Sequence, residues 1–179
     1  MIAPGEPTPL AVTMDEAKDA LRMNAGHDDA VLSGMLRAAT VICEQYTGLW
    51  LVARTVVETM PITGDWQRLS ATPVQAITGA VGVPADGATF ALPVQSHAMD
   101  IDSRADGWVR VTQPGSAGRV RVTYRAGMAD TAGRTPDALR QGIILLAGHM
   151  MRDRDRDAPA QPPAAVAALW RPWRRMRLA

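Results

Sequence analysis

The feature that most constrains the fold is a double change of hydrophobic period. Val31, Leu32, Met35, Ala38, Ala39, Ile42, Cys43 and Tyr46 recur at helical spacing up to Gly48, a glycine suited to the residue just past a helix end. Immediately afterwards Leu51, Ala53, Thr55, Val57 and Thr59 alternate with Val52, Arg54, Val56, Glu58 and Met60, a period of two in a stretch rich in β-branched residues and closed by Pro61. The helical period returns at Leu139, Ile143, Leu146, Ala147 and Met150, where Ile144 and Leu145 widen the stripe enough to predict a mostly buried helix. Helices must therefore flank a β region, which is the order of an α+β fold.

Around this frame lie weaker signals. Thr13 and Glu16 form a capping-box pattern that opens a first helix, with Met14, Ala17 and Leu21 on one side and an end near residues 24–26. Asp28 or Asp29 caps the second. Short strands are predicted around 66–69, 74–83, 89–92 and 98–101, and two clearer ones at 108–112 and 119–126 read as a hairpin through 113–118. A mobile loop, 127–134, precedes Thr135 as N-cap and Pro136 at the first helical position. The alternating charges from Arg152 to Asp157 stay in water, and Pro159, Pro162 and Pro163 stiffen a connection to a short helix at 164–170. The expected organisation is a flexible arm at 1–12, a single domain over 13–157 (helices within 13–48 and 136–154, β region 49–126), and a hinge with a docking segment at 158–179.

Two groups of residues stand out as candidate contacts. The end of the chain carries Trp170, Arg171, Trp173, Arg174, Arg175 and Arg177 and no acidic residue after Asp157. A segment this short reads as unable to bury itself, and Trp and Arg are the types enriched at interface hot spots, so it is expected to dock on a partner. Along the last two strands Val109, Val111, Val120, Val122 and Tyr124 alternate with Arg110, Arg119, Arg121 and Arg125. An antiparallel sheet with one wet face accounts for that pattern without any ligand. The alternative is that the arginine face meets an acidic surface or a polyanion.

Composition narrows the classes. A chain of 179 residues, 47% hydrophobic, is long enough for one proper core, and a net charge of +1 leaves any preference for nucleic acid local. Lys18 is the only lysine among 19 basic residues, a usage that a G- and C-rich genome explains. One cysteine, Cys43, on an apolar helical face, fits a core residue in a reducing compartment. The first residues have no signal-peptide pattern and no stretch approaches a membrane span, so the protein is expected to be made and assembled in soluble form without membrane contact. His27, His97 and His149 are scattered with no carboxylate or cysteine at ligand spacing. Asp100, Asp102 and Asp106 fail the calcium-loop pattern because Ala105 and Val111 stand at key positions. With no phosphate-binding glycine loop and no nucleophile elbow, the expectation is no metal, no cofactor and no enzyme.

The succession of elements resembles the head-tail connector, or head-completion adaptor, family of long-tailed bacteriophages, and more closely the adaptor of alphaproteobacterial gene transfer agents. The resemblance is carried by residues 13–22 (TMDEAKDALR), 28–32 (DDAVL), Ala38-Ala39 and 44–48 (EQYTG) as the opening helix pair. It continues in 120–127 (VRVTYRAG) as the strand leading to the third helix, and in 136–154 with 166–178 as the closing helix and arginine-rich end. It implies a structural virion protein forming a ring, expected to be dodecameric, beneath the portal in the particle neck. Such a ring lengthens the DNA channel, offers a tail-side (stopper) protein a place to bind, passes DNA without sequence preference, and is assembled in the bacterial cytoplasm. The C-terminal tryptophans and arginines would reach the portal. A nucleic-acid-binding module using that end and the hairpin arginines is the alternative.

Overall fold

The computed structural model describes residues 8–23, 29–152 and 163–175. Four helices and seven strands follow in the order α1 (Met14–Leu21), α2 (Asp29–Thr47), β1 (Arg54–Pro61), β2 (Gln67–Arg68), β3 (Val74–Pro84), β4 (Phe90–Ala91), β5 (His97–Ile101), β6 (Gly107–Val111), β7 (Ala117–Ala126), α3 (Asp137–Arg152) and α4 (Ala164–Trp170). The α+β expectation holds, and the chain divides into two compact units. A β unit, Ala53–Gly127, is inserted into a helical unit built from the sequence on either side of it.

In the helical unit the apolar stripes of α2 and α3 supply Leu32, Leu36, Ala39, Cys43, Leu139, Ile143 and Ala147, all fully buried, and α1 adds Ala17. Ala11 and Val12, expected in the loose arm, are also fully buried, and Thr8 O accepts from Arg37 at 3.0 Å. Their apolar side chains find core contacts that the proline-rich composition of the arm conceals. Residues 1–7 of the arm, the Asp28 cap, the alternating charges beyond Arg152 and the hinge as far as Pro162 lie outside the described residues.

Helix α1 stops earlier than its pattern suggests. Arg22 adopts the left-handed conformation (φ 54°), and Met23 N–H donates to Lys18 O at 2.9 Å, which closes the last turn. Its expected capping box is half used: Thr13 Oγ1 accepts from Glu16 N–H, while Glu16's carboxylate meets Arg140 Nε at 2.9 Å. That guanidinium also reaches Asp137 and the carbonyls of Gly133 and Thr135, tying α1 to the start of α3. Thr135 precedes α3, yet its buried Oγ1 has no hydrogen-bond partner, so the expected side-chain cap is not made, and the first carbonyl of the helix is that of Pro136, which accepts from Arg140 N–H at 3.1 Å.

The β unit holds two antiparallel sheets, β1-β7-β3-β4 and β2-β6-β5. The expected hairpin of β6 and β7 does not form. Both edges of β7 are taken, by β1 on one side and β3 on the other, and β6 sits between β2 and β5. Val120, Val122, Tyr124 and Ala126 of β7 face a core shared with Val56 and Met60. Glu58 enters this core because its carboxylate is fully engaged. Tyr124 O–H donates to its Oε2 at 2.8 Å, Ser70 N–H donates to the same oxygen at 3.0 Å, and the Ser70 hydroxyl donates to Oε1. Tyr124's oxygen in turn accepts from Ala71 N–H at 3.1 Å, pinning the turn between β2 and β3 to the sheet.

The candidate contact surfaces

The C-terminal residues expected to act together are split by the structure. Trp170 is 0% exposed and belongs to the core of the helical unit. Its indole N–H donates to Leu139 O at 3.3 Å, its ring lies 5.8 Å from that of Tyr46, and a Cβ on Gly142 would stand 2.1 Å from its Nε1. The missing side chain of Gly142 is the slot into which the indole fits. Trp170 is thereby corrected from a partner contact to a fold-holding residue. Two hundred square ångströms or so of indole find a matching groove on their own chain, which outweighs the tail's polar composition. Val166, 1% exposed, buries alongside it. Gly148, on the same helix, is packed against Leu21, so both small residues serve contacts within this unit.

Beyond Trp170 the chain turns through a short 3-10 segment, Arg171–Trp173, and is held back on α2. Arg175 N–H donates to Thr47 O at 2.8 Å, and the Arg174 guanidinium carbon lies 5.7 Å from the Tyr46 ring centroid. Arg171 and Arg174 are exposed, Trp173 and Arg175 half-buried. Arg177 lies outside the described residues. Trp170 thus fixes the segment, and Trp173 lies partly buried against the same core.

The hairpin arginines are likewise divided. Arg119, Arg121 and Arg125 alternate along β7 and share the open face of the four-stranded sheet. Register places Pro61, Thr59, Thr123 and Thr55 beside them together with Val83, Val81, Gly79 and Ala76, with no carboxylate among these residues. Arg119 and Arg121 are exposed, and Arg125 Nε donates to Gln75 Oε1 at 2.9 Å. Arg110 stands apart, on β6 in the other sheet, where its Nε donates to Gly64 O at 2.8 Å. The pairing of β6 with β2 and β5 removes it from the arginine row.

The sequence reading missed a second wet face. On the three-stranded sheet Trp108 lies opposite Arg68 on one side and Asp100 on the other, and Arg110 lies opposite Ala98. Trp66, one residue before β2, is 45% exposed. The signal was the Trp-x-Arg spacing at 66–68 and again at 108–110. Trp108 is fixed by donating its Nε1–H to Asp102 Oδ2 at 3.0 Å. Asp102 Oδ1 also accepts from the backbone of Arg104 and Asp106, each at 2.9 Å, and these hydrogen bonds, that of Asp106 foremost and that of Trp108 next, hold its carboxyl below the usual aspartate range.

Burial pushes the Cys43 thiol far up, with the Glu44 carboxylate adding to it, so it stays protonated in the core. Among the described residues no three His, Cys, Asp or Glu side chains gather where a metal ion could be held. No helix there is long and apolar enough to cross a membrane.

The chain is thus a helical unit with an inserted β unit, ending in a tryptophan-anchored basic segment. No family model and no curated protein matches the chain. Solved structures do. A chain from the neck of the empty gene transfer agent (GTA) particle, computed with C6 symmetry, shares 26% identity over 100% of this chain and 97% of its own, with a TM-score of 0.79. A chain from the neck of the native GTA particle, computed with C12 symmetry, gives 27% identity over the same shares and a TM-score of 0.78, and one from the virion of the native particle gives 26% and 0.76. The chain is therefore similar over its whole length to chains of the gene transfer agent neck.

Proposed function

We propose that the protein is a structural component of the neck of a phage-like particle, acting by binding and not by catalysis. The observation that carries this reading is the likeness to GTA neck chains across the whole length, both units included. In this reading copies of the chain form a ring, twelve where the neck is twelvefold, between the portal and a tail-side connector, and the ring continues the passage for DNA. The exposed Arg171 and Arg174, with Trp173 and Arg175 beside them, supply the contact with the portal. Trp170 acts one step removed, by holding their segment on Tyr46 and α3. No cofactor is needed, and assembly takes place in the bacterial cytoplasm.

The test is to mix the purified chain with its cognate portal and measure mass by light scattering. Many copies per portal ring are expected. Replacing Arg171 and Arg174 together by Ala should cost no more stability than the Arg174–Tyr46 contact supplies, about 0.5–1 kcal/mol, and lower the portal affinity at least tenfold, a loss of about 1.4 kcal/mol or more. A chain that ignores its portal under all conditions would overturn the reading.

A further inference from the structure

We propose that the open face of the β1-β7-β3 sheet holds the phosphate backbone of double-stranded DNA without regard to sequence, through Arg119, Arg121 and Arg125. The inference rests on the neck reading and deepens it by naming the surface that touches the passing duplex.

The argument begins with charge. Arg119 and Arg121 are exposed, Arg125 is steadied by Gln75, and none of the residues that share the face by register is acidic. The nearest carboxylate of β1, Glu58, belongs to the opposite face, where Tyr124 and Ser70 engage it. The whole chain is almost neutral, at +1, so this row is a local concentration of positive charge rather than a sample of a basic protein. Spacing comes next. Strand geometry sets Arg119 and Arg121 about 7 Å apart and Arg119 and Arg125 about 20 Å apart in a nearly straight line. That is a row suited to a linear polyanion, which carries a charge every ~1.7 Å of duplex axis.

The rest of the face decides between occupants. A protein partner would want a buried aromatic or large aliphatic anchor at the centre of its footprint. Here the neighbours are Thr55, Val57, Thr59, Pro61, Thr123, Gly79, Val81, Val83 and Ala76, low in relief, with hydroxyls of the type that contact phosphate and sugar. A single strand would want aromatic rings on which bases stack, and this face has none. The two tryptophans of the β unit that are not fully buried, Trp66 and Trp108, belong to the other sheet and its approach. What remains is backbone contact with a duplex. Three contacts give weak binding, which lets DNA move along the surface.

The experiment uses the full chain and a labelled duplex of about 30 base pairs of mixed sequence, followed by fluorescence anisotropy from low to moderate salt. Three phosphate contacts predict that log K falls against log salt with a slope near −2.7. Arg119→Gln with Arg121→Gln should lower low-salt affinity at least tenfold and bring the slope to about −1. An unfolding curve and the portal mass measurement accompany each variant, and Arg121→Gln alone supplies an intermediate effect should the double variant lose stability. No binding at low salt, or a double variant that binds like the wild type, overturns the proposal while the neck reading stands if the portal complex still forms. A double variant that keeps its fold but no longer joins the ring or the portal would make this face a protein interface and overturn the proposal as well. Failure of the wild-type chain to join its portal would instead remove the neck reading beneath it.

Discussion

Gly142→Ala tests the packing of the C-terminal segment most directly. In an exposed helix this exchange would stabilise by about 1 kcal/mol, because alanine has less backbone freedom to lose. At this site the new Cβ would stand 2.1 Å from Trp170 Nε1, with two further ring carbons at 2.8 and 2.9 Å. Trp170 is fully buried. If the indole stays, overpacking costs about 1–3 kcal/mol. If it leaves, its N–H bond to Leu139 O is lost and the cost approaches the 3–5 kcal/mol or so of a Trp→Ala change. Less the propensity gain, net destabilisation of about 2 kcal/mol is expected, a fall in melting temperature of roughly 4–8 °C for a chain of this size. Gly34→Ala, in α2 with nothing within 4 Å of its Cβ position, is the control and should gain up to about 1 kcal/mol. Thermal unfolding followed by circular dichroism reads both. The Gly142→Ala, Trp170→Ala pair adds a second check, since the clash has no partner once the indole is gone and the two losses should be far from additive. A Gly142→Ala protein as stable as the wild type, or strict additivity with Trp170→Ala, would refute the slot.

Two further expectations concern the β unit. Tyr124→Phe leaves Ala71 N–H without its acceptor and removes the donor to the buried Glu58 carboxylate, so denaturant unfolding should show a loss of about 1–3 kcal/mol. An unchanged midpoint would mean that water replaces both bonds. For Asp102 the folded-state pKa lies below that of the unfolded chain, so its contribution is complete above the unfolded value, near pH ~3.9, and is lost as pH falls through the folded value. Asp102→Asn should therefore flatten the acid limb of the urea midpoint plotted against pH below about 4, and parallel limbs for the two proteins would count against it.

How far the sequence could be read varied with the range of the interaction. Helix α4, Ala164–Trp170, and the end of α2 before Gly48 were legible because capping residues, prolines and a local period mark them. The strands were legible singly, and the arginine alternation of β7 placed Arg119, Arg121 and Arg125 on one face before any partner strand was known. Strand pairing was not legible. β6 and β7 are neighbours in sequence, but both edges of β7 are taken by β1 and β3 from far along the chain, while β6 pairs with β5 just before it and with the distant β2. Trp170 was misread for a related reason. Its surroundings in sequence are proline and arginine, the company of a surface residue, whereas its seat is an absence, the missing side chain of Gly142 on another helix.

The neck of the insertion has a consequence for how such chains can vary. Where the chain leaves for the β unit and where it returns, the two passes are already fastened. Met128 N–H donates to Trp50 O at 2.9 Å, Ala129 N–H to Leu51 O at 3.0 Å, and Val52 pairs with Ala129 in parallel. The ends of whatever lies between are thus brought together by the helical unit itself. For a flexible connection, each doubling of its length then adds only ~0.6 kcal/mol of closure cost. The β unit is accordingly an exchangeable cassette: its surface can be remodelled, lengthened or traded outright while the helices and their tryptophan-anchored end keep the same seat.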